Sequence, residues 1–342
     1  MSKAFNILSI DGGGIRGIFP AMFLASIEAE LKSRGVEKNR ICDNFQLISG
    51  TSTGGIIAIA LSLGIPAQEI LNLYFDNASK IFGNKRSFWS RIFYSAHERQ
   101  ELEILIRDKF KEANEGVDPI LKDCKTNVCI PIYDLMQGKP SVLKNNYHPR
   151  FIRDYHIPAY QAALATSAAP TFFDPYSTKY IDQNGMEQPF SNKVDGGVVA
   201  NNPALLAIIE AQKAFNKELG DIRVLSIGTG YQRFVDGCDR HNWGLKYWIG
   251  SDRKRLIELF MQGQSQLVQN LISLLQNGID REQGHQPNFI YKRIDTELDE
   301  TCVIELDETN KGKLEKLKEK AQIEFQNNGN EVIQSFFSGN NN

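Results

Sequence analysis

Two short glycine-rich segments, each set directly after an apolar run, constrain this chain more than anything else in it. Asp11-Gly12-Gly13-Gly14-Ile15-Arg16-Gly17 follows Asn6–Ile10, and Gly50-Thr51-Ser52-Thr53-Gly54 follows Phe45–Ser49 about forty residues later. Apolar residues at helical spacing come next in both cases, over Ile18–Arg34 and Thr53–Gly64, so each turn falls where a strand gives way to a helix. Further strand-like runs at Val128–Asp134 and Arg223–Ile227 alternate with helical patterns. That alternation predicts an α/β chain with a sheet that is parallel at its centre.

Gly-x-Ser-x-Gly at a strand–helix junction reads as a nucleophile elbow. Small neighbours let the backbone turn sharply and present the Ser52 hydroxyl above the sheet, at the N-terminus of the next helix. The chemistry predicted is acyl transfer to water through Ser52. The first motif also fits Gly-x-Gly-x-x-Gly, but a dinucleotide fold places an acidic residue at the end of the second strand, and that strand here ends in Ser49-Gly50. A Walker A loop is excluded because no Gly-Lys-Ser/Thr occurs in the segment. What remains is a row of backbone N–H groups at a helix N-terminus, which stabilises an oxyanion as readily as a phosphate. Arg16 has two readings, a clamp for a head-group phosphate or a brace that holds the loop by a salt bridge or its carbonyls. Its place inside a tight glycine turn favours the brace.

A serine nucleophile needs a base. The five histidines (His97, His148, His156, His241, His285) all lie outside any glycine-bounded strand end, and His148 and His156 flank a polar Arg-Phe-Ile-Arg stretch that suits surface or capping roles. Asp195 is better placed. It follows Val194 and precedes Gly196-Gly197, so its carboxylate sits on a tight turn with nothing bulky between it and a neighbouring loop.

Composition narrows the partners. A formal charge of −2 on 342 residues, with signs mixed, provides no global field to gather nucleic acid. The five cysteines are scattered and lack a Cys-x-x-Cys spacing, which fits a reducing compartment and predicts no metal site. The N-terminal apolar stretch is short and lacks a signal-peptide pattern, and Ile56–Ala67 is well short of the ~20 residues that span a bilayer. Cytoplasmic location follows, with any lipid met from the surface.

Helices are expected over Glu98–Ala113, over Ala159–Ala169, and from Pro203 to about Phe215 with Asn202 as N-cap. Asp182–Pro189 reads as turns. Lys80–Tyr94 mixes Phe88, Trp89, Phe93 and Tyr94 with Lys85, Arg86 and Arg91 without a period; it reads either as a loop packed on the core or as an interfacial lid. The C-terminal part is expected to be helical over Leu245–Asn277 and Lys311–Asn327, around one strand at Asn288–Asp295, with 338–342 a frayed tail. No repeat or long linker divides the chain, which is read as one domain.

Asp-Gly-Gly-Gly-x-Arg-Gly, Gly-x-Ser-x-Gly and Asp-Gly-Gly, in this order, resemble the patatin-like phospholipase family. Ala165-Thr166-Ser167-Ala168-Ala169-Pro170, Leu225–Gly230, and Trp243-Gly244 with Trp248 extend the likeness. The motif-bearing core runs over about 6–230, and the likeness to 231–337 is looser. The resemblance implies a three-layer α/β/α fold with a mostly parallel central sheet and a lipid acyl hydrolase acting on membrane glycerophospholipids through an acyl-serine, without cofactor or metal. It further implies Ser52 as nucleophile and Asp195 as proton acceptor, in a dyad instead of a triad. Backbone N–H groups of Gly12, Gly13, Gly14 and Thr53 would form the oxyanion hole, with Arg16, Gly17, Gly50, Gly54, Gly196 and Gly197 completing the motifs. Asp-Gly-Gly stands where the family often has Asp-Gly-Ala, a loss of one methyl expected only to loosen the turn. Alternatives are an effector of bacterial antiphage defence activated by a nucleotide second messenger, a nonspecific esterase or thioesterase, and a non-catalytic lipid-binding or storage protein.

Overall fold

The computed structural model describes residues 4–83, 95–233, 244, 247–248, 254–278, 287–299 and 302–337. The interfacial reading of Lys80–Tyr94 therefore falls, from residue 84 onward, outside the described residues, as do Cys238, His241, Trp243 and His285. Along the chain run β1 (Phe5–Ile10), α1 (Ile18–Ser33), β2 (Leu47–Gly50), α2 (Thr53–Ser62), α3 (Ala67–Phe82), α4 (Gln100–Ala113), β3 (Asn127–Asp134) and β4 (Lys139–Lys144). There follow α5 (Ala159–Thr166), β5 (Tyr176–Ile181), β6 (Glu187–Asp195), α6 (Gly197–Ala200), α7 (Ala204–Ala214), β7 (Ile222–Ile227), α8 (Lys254–Asn277), β8 (Ile290–Ile294) and α9 (Lys311–Phe336).

One mixed sheet organises them in the order β5-β6-β3-β2-β1-β7-β8, with β4 also paired to β3. From β3 to β8 the neighbours are parallel, as expected for the apolar, buried strands β3, β2, β1 and β7, with β8 a half-buried edge. Alternation along β1 sorts the two outer layers. Leu8 and Ile10 join the core beneath α1, α2, α5 and α9, whereas Phe5 and Ile7 pack with Ala204, Ala207 and Ile208 of α7 and Ile272 of α8. Every residue of α2 is buried, which explains why that helix carries no polar face.

β4 and the β5–β6 hairpin are absent from the sequence expectations. They pair antiparallel toward the sheet edge and leave much of each strand exposed or half-buried, so they lack the continuous apolar run that marks the central strands. The turn-rich reading of 182–189 fits only the hairpin tip, since β6 already starts at Glu187. Helix α9 continues nine residues past Asn327, through an Asn-Asn-Gly cluster that reads as a breaker. Burial of Val332, Ile333 and Phe336, with Phe336 stacked on Phe45 at 5.9 Å, sustains it. Helix α7 begins one residue later than expected, at Ala204, whose N–H donates to the Asn202 Oδ1 at 3.0 Å.

Candidate active site

Register around β3 brings the two motif ends together. Cys129 pairs with both Ser49 of β2 and Lys144 of β4, and Ile132 pairs with both Asp195 of β6 and Ser141 of β4. β2 and β6 therefore share the edge of β3 opposite β4, and they run toward each other along it. Their C-terminal ends meet over Ile130 and Pro131.

At that meeting point the Ser52 hydroxyl donates to Asp195 Oδ2 at 2.6 Å, across 143 residues of sequence. Ser52 has φ 56° and ψ −125°, a left-handed backbone that a non-glycine residue adopts only when its surroundings enforce it. Thr166, at the end of α5, does part of the enforcing. Its Oγ1 accepts the Ser52 N–H at 3.2 Å and donates to Pro131 O at 2.7 Å, and its carbonyl accepts the Gly196 N–H at 3.2 Å. One threonine thus ties the Ser52 turn to the Asp195 turn. Thr51 adds a second tie, donating to Ala200 O at 2.6 Å.

Asp195 is buried, with Oδ1 accepting the Gly197 N–H at 2.6 Å. Burial pushes its carboxyl up to about 7, while the bonds from Ser52 and Gly197 pull the other way. A carboxylate raised this far is a far better proton acceptor than an ordinary aspartate at neutral pH.

Ser52 and Asp195 open onto an apolar cavity of about 390 Å³, walled by Ile56, Ile81, Phe82, Phe172, Phe173 and, from α8, Ile257, Phe260 and Met261. Gly13, Gly14 and Thr53 also line it. Their N–H groups stand at the starts of the Gly14–Gly17 turn and of α2, where no preceding turn supplies an acceptor. Gly14 has φ 56° and packs so closely that a Cβ would lie 2.2 Å from Leu306 O, so only glycine fits. Gly12 departs from the expected oxyanion set. Its N–H donates to Asn201 O at 3.0 Å, which removes it as a donor to substrate, and it faces away from the apolar cavity.

Of the remaining motif residues, Gly50 closes β2, Gly54 lies in the first turn of α2, Gly17 precedes α1 and Gly196-Gly197 form the turn after β6. Arg16 does not act as the expected brace. It is 5% exposed, no hydrogen bond or ion pair reaches its guanidinium among the described residues, and it points into a second cavity behind the loop. The loop is held by other residues, two of which, Arg293 and Ser265, sequence reasoning missed. Asp11 pairs with Arg293 of β8 at 2.6 Å and accepts from Ser265 of α8 at 3.0 Å, and Thr229 donates to Gly12 O at 3.0 Å. Asp11 carried a sequence signal as the head of the first motif and Thr229 as part of the Gly228-Thr229-Gly230 run in the resemblance, whereas Arg293 and Ser265 carried none.

The described histidines stay away from Ser52. His97 is buried among Phe82, Phe172 and Phe173, with Nε2 3.4 Å from Asp307 Oδ2. The His148 Nδ1 accepts the Arg150 N–H at 3.2 Å, and His156 packs on Tyr155. The four described cysteines are free.

A parallel-centred sheet, a strained serine turn and an apolar cavity define the class: an α/β/α hydrolase of acyl esters. Residues 8–208 match the patatin-like phospholipase model, and the chain belongs to that family of lipid acyl hydrolases. A cGAMP-activated phospholipase of Escherichia coli is 32% identical over 290 residues, covering 78% of this chain and 74% of that protein. Patatin-like protein 2 of Arabidopsis thaliana is 32% identical over 311 residues, 82% and 74% of the two chains. A cGAMP-activated phospholipase of Vibrio cholerae is 34% identical over 241 residues, 67% of this chain and 65% of that one.

Proposed function

We propose that Ser52 attacks the ester carbonyl of a membrane glycerophospholipid while Asp195 accepts its proton. The N–H groups of Gly13, Gly14 and Thr53 would receive the oxyanion, and the apolar cavity the acyl chain. Asp195 then returns the proton to the leaving alcohol, and water, activated by the same carboxylate, releases the fatty acid from the acyl-serine. The observation that carries this reading is the 2.6 Å bond from Ser52 to Asp195 at the base of an apolar cavity. A dyad relies on its oxyanion donors, each worth about 3 kcal/mol in other serine hydrolases. Fluorophosphonate labelling tests the reading: the wild type should label at Ser52 and release fatty acid from phospholipid vesicles, and Ser52→Ala should do neither. Labelling elsewhere, or release that survives in the variant, overturns it.

Membrane contact is proposed to be peripheral, at the inner face. No helix among the described residues is long and apolar enough to cross a bilayer. Helix α8 instead exposes Phe260, Leu267, Leu271, Leu274 and Leu275 within about 100° of arc, starting at the cavity wall. That stripe supports lipid approaching the cavity along α8.

A second reading adds regulation. Two relatives carry activation by cGAMP in their names, which supports a cyclic-nucleotide-activated effector that degrades the membrane of its own bacterial cell in antiphage defence. Vesicle hydrolysis measured with and without cGAMP tests it, and equal rates would overturn it.

A further inference from the structure

Behind the glycine loop, on the side away from Ser52, lies a second cavity of about 670 Å³. That volume is within the ~300–1,000 Å³ range of small-molecule sites. Gly13 and Gly14 line the apolar cavity, and Asp11 and Gly12 line this one. Helix α8 walls both. It turns Ile257, Phe260 and Gln264 to the first and Glu258, Gln262, Gln266 and Gln269 to the second.

Arg16 decides what the second cavity can hold. Its neighbour Arg293 is paired through its two terminal nitrogens, which donate to Asp11, Ser226 and Asp295 at 2.6–2.9 Å, and only its Nε lacks an acceptor. Arg16 has no such partner; Glu258 and Asp295 act on it only through space, and burial pushes its guanidinium below the ordinary arginine range. It remains a cation, and a buried cation that no carboxylate hydrogen-bonds directly is costly. Its planar fork of donors matches the oxygens of a phosphate. Asn201 Oδ1, buried and without a donor, lines the same cavity, as do Tyr231 and the α8 glutamines. Amide edges and an aromatic face are the groups that read and stack on nucleobases.

We propose that this cavity binds a cyclic dinucleotide with a phosphodiester on Arg16, and that occupancy is transmitted to Ser52 through the glycine loop and α8. The inference rests on the nucleotide-activation reading above and adds where the ligand sits and how it acts. The transmitting bonds are in place. Gly12 N–H donates to Asn201 O at 3.0 Å, Asn201 N–H to Gln264 Oε1 at 3.2 Å, and Gln264 Nε2 to Val198 O at 2.8 Å. A ligand that draws Arg16 and α8 together therefore biases the loop beside the oxyanion donors, the turn after Asp195 and one wall of the acyl cavity.

Calorimetric titration of the full chain with cGAMP, cyclic di-GMP, cyclic di-AMP, inorganic phosphate and glycerophosphoglycerol separates nucleotide from lipid head group as the phosphate source. One cyclic dinucleotide should bind, and phosphate and the head group should bind far more weakly. Arg16→Gln should weaken that binding about tenfold or more. The same variant should leave the ligand-free melting temperature unchanged or higher, because the guanidinium has no bond to lose. If Arg16→Gln does not fold, Gln269→Glu, on the exposed side of α8, should weaken binding through repulsion of the phosphate. Nucleotide-stimulated hydrolysis with affinity unchanged in the variants overturns the site and leaves the activation reading standing. Lack of both stimulation and binding overturns both. Head-group binding tighter than nucleotide binding would make the cavity a substrate subsite and overturn the proposal.

Discussion

Ser49 of β2 and Asp195 of β6 flank the same edge of β3, opposite Cys129 and Ile132. The two residues between them, Ile130 and Pro131, on a strand that carries neither motif, thus set the separation between the serine turn and the carboxylate. The geometry of the pair is a property of the sheet, and the sheet tolerates changes of side chain at its ends better than changes of register. Ser52→Ala is expected to keep the fold and lose more than about 99% of vesicle hydrolysis, since only one hydroxyl is removed and no cavity forms. Circular dichroism with fatty-acid release checks both halves.

Hydrolysis should rise with pH through about 7, where Asp195 becomes ionised and able to accept a proton. Stability moves the opposite way. A carboxyl raised from 3.8 to about 7 in the folded state contributes stability that is full below pH 4 and lost as pH rises through 7, on the order of 4 kcal/mol. Asp195→Asn should therefore be inactive yet melt higher than wild type at pH 8, with a smaller gain at pH 5. A gain of equal size at both pH values would show that Asp195 carries no ionisation strain.

Thr166→Val keeps the side-chain shape but removes the acceptor for the Ser52 N–H and the donor to Pro131 O. The cost should be about 1–3 kcal/mol. Because the change loosens the serine turn and leaves the acyl cavity alone, kcat should fall with KM little changed, and Thr166→Ser should restore most of it. A Thr166→Val enzyme with wild-type kcat would show that the turn is held without this residue.

Gly196 and Gly197 should respond differently to alanine. A Cβ on Gly196 would lie 2.2 Å from Pro131 O, on a central strand that has no room to move, whereas one on Gly197 would lie 3.0 Å from Asp195 Oδ1 and 3.3 Å from Asn201 Oδ1. Gly196→Ala is expected to unfold at markedly lower temperature, by about 2 kcal/mol or more in stability. Gly197→Ala should fold and retain activity within about tenfold of wild type. Equal melting temperatures for the two would contradict the packing.

Leu267→Ser combined with Leu274→Ser removes two residues of the exposed α8 stripe and touches neither cavity. Vesicle hydrolysis should drop several-fold, on the order of the ~1–3 kcal/mol carried by each inserted leucine. Hydrolysis of a short soluble ester should hold. Equal loss on both substrates would place the effect in the fold.

The amino-acid sequence by itself determined the strand–turn–helix units at Gly12–Gly17 and Gly50–Gly54, the α/β class, and Ser52 and Asp195 as the residues to watch. These are local properties: backbone dihedrals that only small residues allow, and apolar periods of a single helix or strand. Tertiary structure decided the rest. Which N–H groups remain free is settled by a partner from elsewhere in the chain, so Gly12 is engaged by Asn201 while Gly13 and Gly14 stand at the cavity. Arg16 looks like a brace in the linear motif, but Arg293, 282 residues beyond Asp11, already holds the loop and leaves Arg16 facing a different cavity. The edge strands that carry Asp195 to Ser52 left no apolar run to read, because half of each faces water. Short-range conformational preference is written along the chain, whereas the pairing of distant groups is fixed only when packing chooses among many chemically equivalent partners.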